Sequence, residues 1–367
     1  MSDFDELEKL ALSWQDANYL AIDTEFERRT TYYAKLALVQ VYDNEAIYLI
    51  DPLVTDCPES LRVVFENPNI TKILHSSKED LEVLYTSWNC KVKGLFDTQV
   101  AYSFLHQELS IGYAKLVEEM TGIFVSKGET NSDWMKRPLS ERQYEYAAKD
   151  VLYLIDIFKR LDSEINGKSY LKLFKAECQE YCEGAYLKMH TPADYREAKE
   201  VSLLNETDLT LFKILFDWRE QRAKDDNRTK NHIIKDQELV QLVKIKPSTA
   251  QQIKMIDGLH PRSVRLYANE WLDIISNWQT SEKKTLPVVL NPRDLKDLNR
   301  FSATLEAIVK SVARENRLSP TLLLSKRQIK KWAFSILTNN NVPTQWQGWR
   351  KELLEKPFNE KSLEFVS

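Results

Sequence analysis

Two carboxylates one residue apart, Asp23 and Glu25, close the apolar run Tyr19-Leu20-Ala21-Ile22. A run of this kind is β-type, and alternate residues of a strand share a face, so both acids point the same way. Like charges held side by side oppose folding unless a cation lies between them. Taken alone, the pair reads better as a strand end meeting solvent, so its meaning rests on partners elsewhere. Asp80 lies in the first turn of a helix that Ser76 or Ser77 can cap, a place where the helix dipole by itself also favours an acid. Tyr146 and Asp150, four apart in a helical stretch, sit one turn from each other on one face. Four oxygen-donor acids without an accompanying His or Cys cluster are the donor set that suits a hard divalent cation, Mg²⁺ or Mn²⁺.

The elements that must position these residues follow from hydrophobic period and turn signals. Residues 5–17 read as an amphipathic helix with Leu7, Leu10, Ala11 and Trp14 on one face. After the strand carrying Asp23 and Glu25, the runs 36–42 and 46–50 are strand-like and separated by Asp43-Asn44-Glu45, which predicts a three-stranded antiparallel start. A fourth strand, 71–75, leads into a helix over 78–88. Helical segments are expected over 97–107 and 113–121, a polar loop over 125–138, and one strong helix over 140–161. Beyond residue 150 the pattern is helical only, with boundaries expected near Thr191-Pro192 and near Leu286-Pro287 to Asn291-Pro292.

At 367 residues the chain is long enough for two or three domains, and no apolar run approaches the roughly 18 residues of a membrane span. The N-terminus, Met1-Ser2-Asp3-Phe4-Asp5-Glu6, is acidic where a leader would be basic, so a cytoplasmic location is expected. Four cysteines are too few for a disulfide scaffold, and Cys178 and Cys182 lack the second pair a metal site would need. The net charge of -4 conceals a gradient: residues 1–150 carry 15 basic against 26 acidic side chains, and residues 201–367 carry 28 against 20. An acidic half repels a polyanion unless cations intervene, whereas the basic half can hold one. There is no Gly-rich phosphate loop and no Ser/His/Asp order of a hydrolase triad.

Asp23-Thr24-Glu25, Asp80 within His75-Ser76-Ser77-Lys78-Glu79-Asp80, and Tyr146-Ala147-Ala148-Lys149-Asp150 together resemble the exonuclease superfamily named for its four acidic residues, in its tyrosine subclass. Asp23-Thr24-Glu25-Phe26, Thr31-Tyr32-Tyr33, Phe96-Asp97-Thr98-Gln99, Asp133-Trp134 and Arg137-Pro138-Leu139-Ser140 narrow the resemblance to the ribonuclease D family. Leu215-Phe216-Asp217-Trp218-Arg219 with Ile256-Asp257-Gly258-Leu259 resembles the HRDC module, and Ser319-Pro320-Thr321-Leu322-Leu323 with Lys326-Arg327 a second, diverged copy. The resemblance implies an α/β, ribonuclease H-like exonuclease domain with a mixed sheet over 1–197, followed by two small all-α, HRDC-like domains over 205–283 and 290–367.

The implied activity is 3′–5′ hydrolysis of RNA to nucleoside 5′-monophosphates with two divalent metal ions. Its substrates would be tRNA precursors and other small stable RNAs. By the same resemblance Asp23 bridges both ions, Glu25 and Asp150 hold the one on the water side, and Asp80 supports the other through water. Tyr146 orients the attacking water; a phenol ionises near pH ~10, so orientation is the role expected of it rather than proton removal. Three further candidates for contact with RNA are Lys127 at a phosphate, His75 at the terminal nucleotide and Phe26 stacking on a base, each with a bland alternative: a solvated loop lysine, a structural histidine, a core aromatic. Arg219, Arg222, Lys224, Arg228 and Lys230 form one basic cluster, and Lys326, Arg327, Lys330 and Lys331 another, both read as phosphate contacts. A monomer with no obligate protein partner is expected. The rival readings are a DNA-directed exonuclease of the same superfamily and a catalytically silent RNA-binding protein.

Overall fold

The structure, a computed structural model, describes residues 1, 3–106, 110–125, 128, 132–282, 285–287, 289, 297–338 and 348–366, with side chains as far as 362. Five strands form one sheet: β1 (Tyr19–Glu27), β2 (Lys35–Tyr42), β3 (Ile47–Ile50), β4 (Thr71–Leu74) and β5 (Leu95–Asp97), in the order β3-β2-β1-β4-β5. The pairs β1/β2 and β2/β3 are antiparallel, while β1/β4 and β4/β5 are parallel. The sheet is therefore mixed, and β1 is the strand at which the pairing mode changes. The expected antiparallel start is present. β5 was not expected: a three-residue strand is too short to show a period of two, and it exists because β4 offers it a parallel edge.

Around the sheet lie α1 (Phe4–Ser13), α2 (Glu59–Glu66), α3 (Lys78–Trp88), α4 (Thr98–His106), α5 (Tyr113–Thr121), α6 (Glu141–Leu152), α7 (Leu154–Ile165) and α8 (Leu171–His190). The single helix expected over 140–161 is two, broken at Tyr153, whose backbone φ of -96° and ψ of -8° interrupts the first before the second begins. Alternation along β1 divides the core. Leu20 and Ile22 face a cluster with Leu7, Val64, Phe65 and Leu81 from α1, α2 and α3, and Ala21 faces Val151, Leu154 and Ile155 from α6 and α7. Odd-numbered residues of β1 thus look toward α6 and even-numbered ones toward α3.

The chain divides into two compact units. One comprises residues 1–27, 34–190 and 296–367, the other 28–33 and 191–295. In the first, the helices α14 (Leu298–Glu315), α15 (Pro320–Leu323), α16 (Lys326–Leu337) and α17 (Gly348–Val366) belong with the sheet. Arg350 of α17 donates to Glu177 of α8, from Nη2 at 2.9 Å and from Nη1 at closer range, and the Trp349 indole N–H donates to the same carboxylate at 2.9 Å. That charge-assisted set holds Glu177 below its ordinary range despite its burial.

The second unit contains α9 (Glu206–Asp225), α10 (Lys230–Ile233), α11 (Asp236–Ile245), α12 (Ala250–Lys254) and α13 (Pro261–Thr280), wrapped about Phe212, Leu239, Tyr267 and Trp271. One expectation fails here. Arg219 has no exposed surface: it bonds Asp236 at 2.7 Å and the Ile234 carbonyl at 3.2 Å and lies over the Phe216 ring. It holds α9 to α11 and is unavailable to a phosphate. Arg222 pairs with Asp226 at 3.2 Å, and Arg228 donates to the Tyr267 hydroxyl at 3.0 Å. The spacing showed a cluster of cations; helix packing turned part of it inward, where unpaired charge is not tolerated.

Candidate active site

β1 carries its acids where alternation put them. Asp23 and Glu25 face α6, whose own inward side presents Tyr146 and Asp150. One carboxylate oxygen each of Asp23, Glu25 and Asp150 lies within 4.8 Å of the other two. The start of α6 is well fixed. Ser140 and Gln143 form a capping box, and the Gln143 amide reaches back to the Asp133 carbonyl at 3.3 Å. Arg137 ties the preceding loop to the sheet through Asp51, at 2.5 and 2.8 Å, and through the carbonyl of Ala37 at 2.6 Å. Ala37 is the extra residue of β2 at the bulge where pairing shifts between Glu25 and Phe26. Trp134, 4% exposed, packs beside Leu38 and Ala147 with its ring 6.0 Å from that of Tyr146 and so pins the loop to the sheet and α6.

Asp80 is placed differently. It projects from the first turn of α3 and accepts a hydrogen bond from the hydroxyl of Thr24 at 2.5 Å. Three acids are therefore brought together, and the fourth is bound to the residue between the first two, near enough that its charge is the largest acting on Asp23. The turn leading to Asp80 is held by Asp97, wholly buried, which accepts from the Ser77 amide and hydroxyl at 2.8 Å each, from the Ser76 amide at 3.2 Å and from the amides of Gln99 and Val100. Ser76 has a left-handed φ of +60°, uncommon for a residue with a Cβ, and the Asp97 carboxylate stabilises that turn.

The charges are out of balance without a cation. Burial, with the charges of Asp80, Asp150 and Glu25 added to it, holds the Asp23 carboxyl well above the ordinary range. Burial, then Asp150 and Asp80, push Glu25 to about 8. Burial pushes Asp80 to about 7 against the opposing hydrogen bond from Thr24, and Asp150 to about 7 against one from Tyr146. Near neutral pH these groups retain protons that a divalent cation would displace. Oxygen donors only, converging and over-charged, fit such a cation.

The remaining candidates are less clear-cut in place. Both ring nitrogens of His75 are engaged, Nδ1 with the Thr98 hydroxyl at 2.9 Å and Nε2 with the Ile111 carbonyl at 3.1 Å, and burial keeps its pKa low. Phe26, half-buried, packs against the cluster formed with α1 to α3. Lys127 lies outside the described residues. Tyr113 was not picked out from the sequence, yet its hydroxyl donates to the Lys149 carbonyl at 2.6 Å and its phenol is pushed up by burial and by the charges of Asp150 and Asp23. A tyrosine opening a short helix carries no signal of that in the sequence. Nor did Thr24, the spacer of the D-x-E, show that it would bind Asp80.

A mixed sheet with acids on the second half of β1, from its middle residue Asp23 onward, and a Y-x-x-x-D helix across it defines a nuclease of the 3′–5′ exonuclease class. The family model described as 3′-5′ exonuclease matches residues 1–166, the HRDC domain matches residues 208–275, and the C-terminal HRDC domain of ribonuclease D matches residues 299–358. Ribonuclease D of Escherichia coli is 32% identical over 94% of this chain and 93% of its own length, and that of Cronobacter turicensis 31% over 95% and 96%. The crystal structure of Escherichia coli RNase D, described as an exoribonuclease involved in structured RNA processing, superposes with a TM-score of 0.90 at 29% identity, covering 100% of this chain and 98% of that one. The chain belongs to the ribonuclease D family and is a 3′–5′ exoribonuclease. Among the described residues no helix is long and apolar enough to cross a membrane.

Proposed function

We propose that Asp23, Glu25, Asp80 and Asp150 hold two divalent metal ions, Mg²⁺ or Mn²⁺, and that the protein removes nucleoside 5′-monophosphates one at a time from the 3′ end of RNA. The observation that carries this reading is the convergence of Asp23, Glu25 and Asp150 within 4.8 Å. Divalent ions bound there would supply relief of charge on the attacking and leaving oxygens.

The chain's own groups do the rest. The Tyr146 hydroxyl donates a hydrogen bond to the Asp150 carboxylate, which leaves its oxygen lone pairs to accept from a water and aim it at phosphorus. As the water's oxygen bonds phosphorus it gives up one proton to the surrounding solvent, the bond to the 3′ oxygen of the preceding nucleotide breaks, and that oxygen takes up a proton from solvent. Asp80, oriented by the Thr24 hydroxyl, would support the second ion through water. The helical domains over 205–283 and 290–367 hold the RNA backbone, and the exonuclease domain over 1–197 cuts it.

The substrates that suit this reading are tRNA precursors and other small stable RNAs in the cytoplasm, handled by a monomer without an obligate protein partner. The test is digestion of a 3′-extended tRNA precursor with and without EDTA. Stepwise shortening from the 3′ end, mononucleotide 5′-phosphates as product and complete inhibition by EDTA are expected. Internal cuts, 3′-phosphate products or metal-independent turnover would overturn the reading.

A further inference from the structure

Gln40 is wholly buried, and neither its side-chain nitrogen nor its side-chain oxygen has a hydrogen-bond partner among the described residues. A carboxamide offers two donors and an acceptor, and burying it unpaired opposes folding unless something else uses it. Its position says what. On β2 it stands directly opposite Asp23 of β1, and directly opposite Leu49 of β3 on its other side. Residues directly opposite in an antiparallel pair share a face, with Cβ atoms about 5 Å apart. Gln40 therefore lies on the α6 side of the sheet, next to the carboxylates. Of its other neighbours on that face of the sheet, Leu38 and Leu49 are apolar, the Tyr42 hydroxyl is given to the Asn44 carbonyl at 3.4 Å, and Glu25 stands diagonally from it, opposite Leu38. Asp23 directly across the strand pair carries acceptors.

We propose that Gln40 is a positioning residue for Asp23: in the metal-loaded protein its amide N–H donates to the ionised Asp23 carboxylate and fixes the orientation in which that carboxylate meets the cation. The inference rests on the reading of Asp23 as a metal ligand. Groups that orient a ligand in this way are worth roughly tenfold or more in metal affinity.

The test is Gln40→Met, which keeps length and bulk and removes the polar atoms. Mn²⁺ is titrated calorimetrically into the full chain, and thermal midpoints are recorded in EDTA and in Mn²⁺. The expected result is about a tenfold weaker Mn²⁺ affinity, a smaller Mn²⁺-induced rise in midpoint, and a midpoint in EDTA equal to or above that of the unaltered protein. kcat on a 3′-hydroxyl oligoribonucleotide falls while KM holds. Unchanged Mn²⁺ affinity would overturn the proposal. So would failure of Gln40→Met to fold, which would mean that the metal-free core already uses the amide. Leu38→Met, two residues away on the same face, controls for packing, and an equal loss of Mn²⁺ affinity there would also overturn the proposal. Asp23→Asn separates the two levels. If it binds Mn²⁺ as the unaltered protein does, the metal-site reading itself fails; if it loses Mn²⁺ while Gln40→Met does not, the Gln40 assignment alone fails.

Discussion

The acids at the end of β1 carry a prediction whose sign follows from their environment. Glu25 at about 8 and Asp80 and Asp150 at about 7 lie above the ~4 of free carboxyls, mainly because the fold buries them. A raised carboxyl pKa favours the folded state fully below the unfolded value and loses that contribution as pH rises through the folded one. The metal-free protein should therefore melt at progressively lower temperature from pH 5 to pH 8.5, and Mn²⁺ should largely remove the slope. A midpoint in EDTA that rises over the same interval would contradict the assignment. Asp150→Asn should flatten the slope and abolish turnover with the fold intact. Tyr146→Phe removes an orienting hydroxyl and not a ligand, so it should lower kcat by about 10²-fold with little change in KM, as steady-state kinetics on a short RNA would show.

At the scale of elements, the site depends on how three pieces meet β1. Alternation aims Asp23 and Glu25 at α6 and Thr24 at α3, so a one-residue slip of β1 would exchange the two sides and dismantle the cluster. β5 and the Asp97 turn set where α3 begins and hence where Asp80 stands. Gly94, just before β5, adopts φ +68°, and a Cβ there would meet the carbonyl oxygens of Ile70 at 2.5 Å and Pro68 at 2.9 Å. Gly94→Ala should cost on the order of 1–3 kcal/mol in denaturant unfolding, the clash being with backbone that cannot swing aside. Farther out, Arg350 and Glu177 join α17 to α8 with side chains only 15% and 5% exposed. Arg350→Ala would leave a buried carboxylate unpaired and should destabilise by about 3–5 kcal/mol, whereas an equally sized loss at Lys351, paired with Glu355 at an exposed i,i+4 position, is not expected.

Over the whole molecule, charge separates the work. The acidic N-terminal part carries the candidate metal site, and in the proposed reading the basic remainder would supply affinity for a polyanion. Lys326, Arg327 and Lys330 on α16 are exposed, unlike Arg219. Changing these three to Gln should raise KM for RNA without altering kcat. It should also reduce the slope of log KM against log salt by about one for each phosphate no longer neutralised. An unchanged slope would place the RNA elsewhere.

What the residues alone determined was the chemistry: a D-x-E at a strand end, an aspartate in a helix's first turn and a Y-x-x-x-D are local patterns, legible because strand and helix periods are local. The antiparallel start and the helical character of the second half were legible for the same reason. Tertiary structure decided which groups meet. It drew Asp23, Glu25 and Asp150 together and bound Asp80 to Thr24 beside them. It occupied both nitrogens of His75 and turned Arg219 into the interior. It also set Gln40 beside Asp23, which no spacing reveals, because strand register across a sheet depends on partners distant in sequence and a glutamine in a buried strand looks the same whether or not it faces an acid.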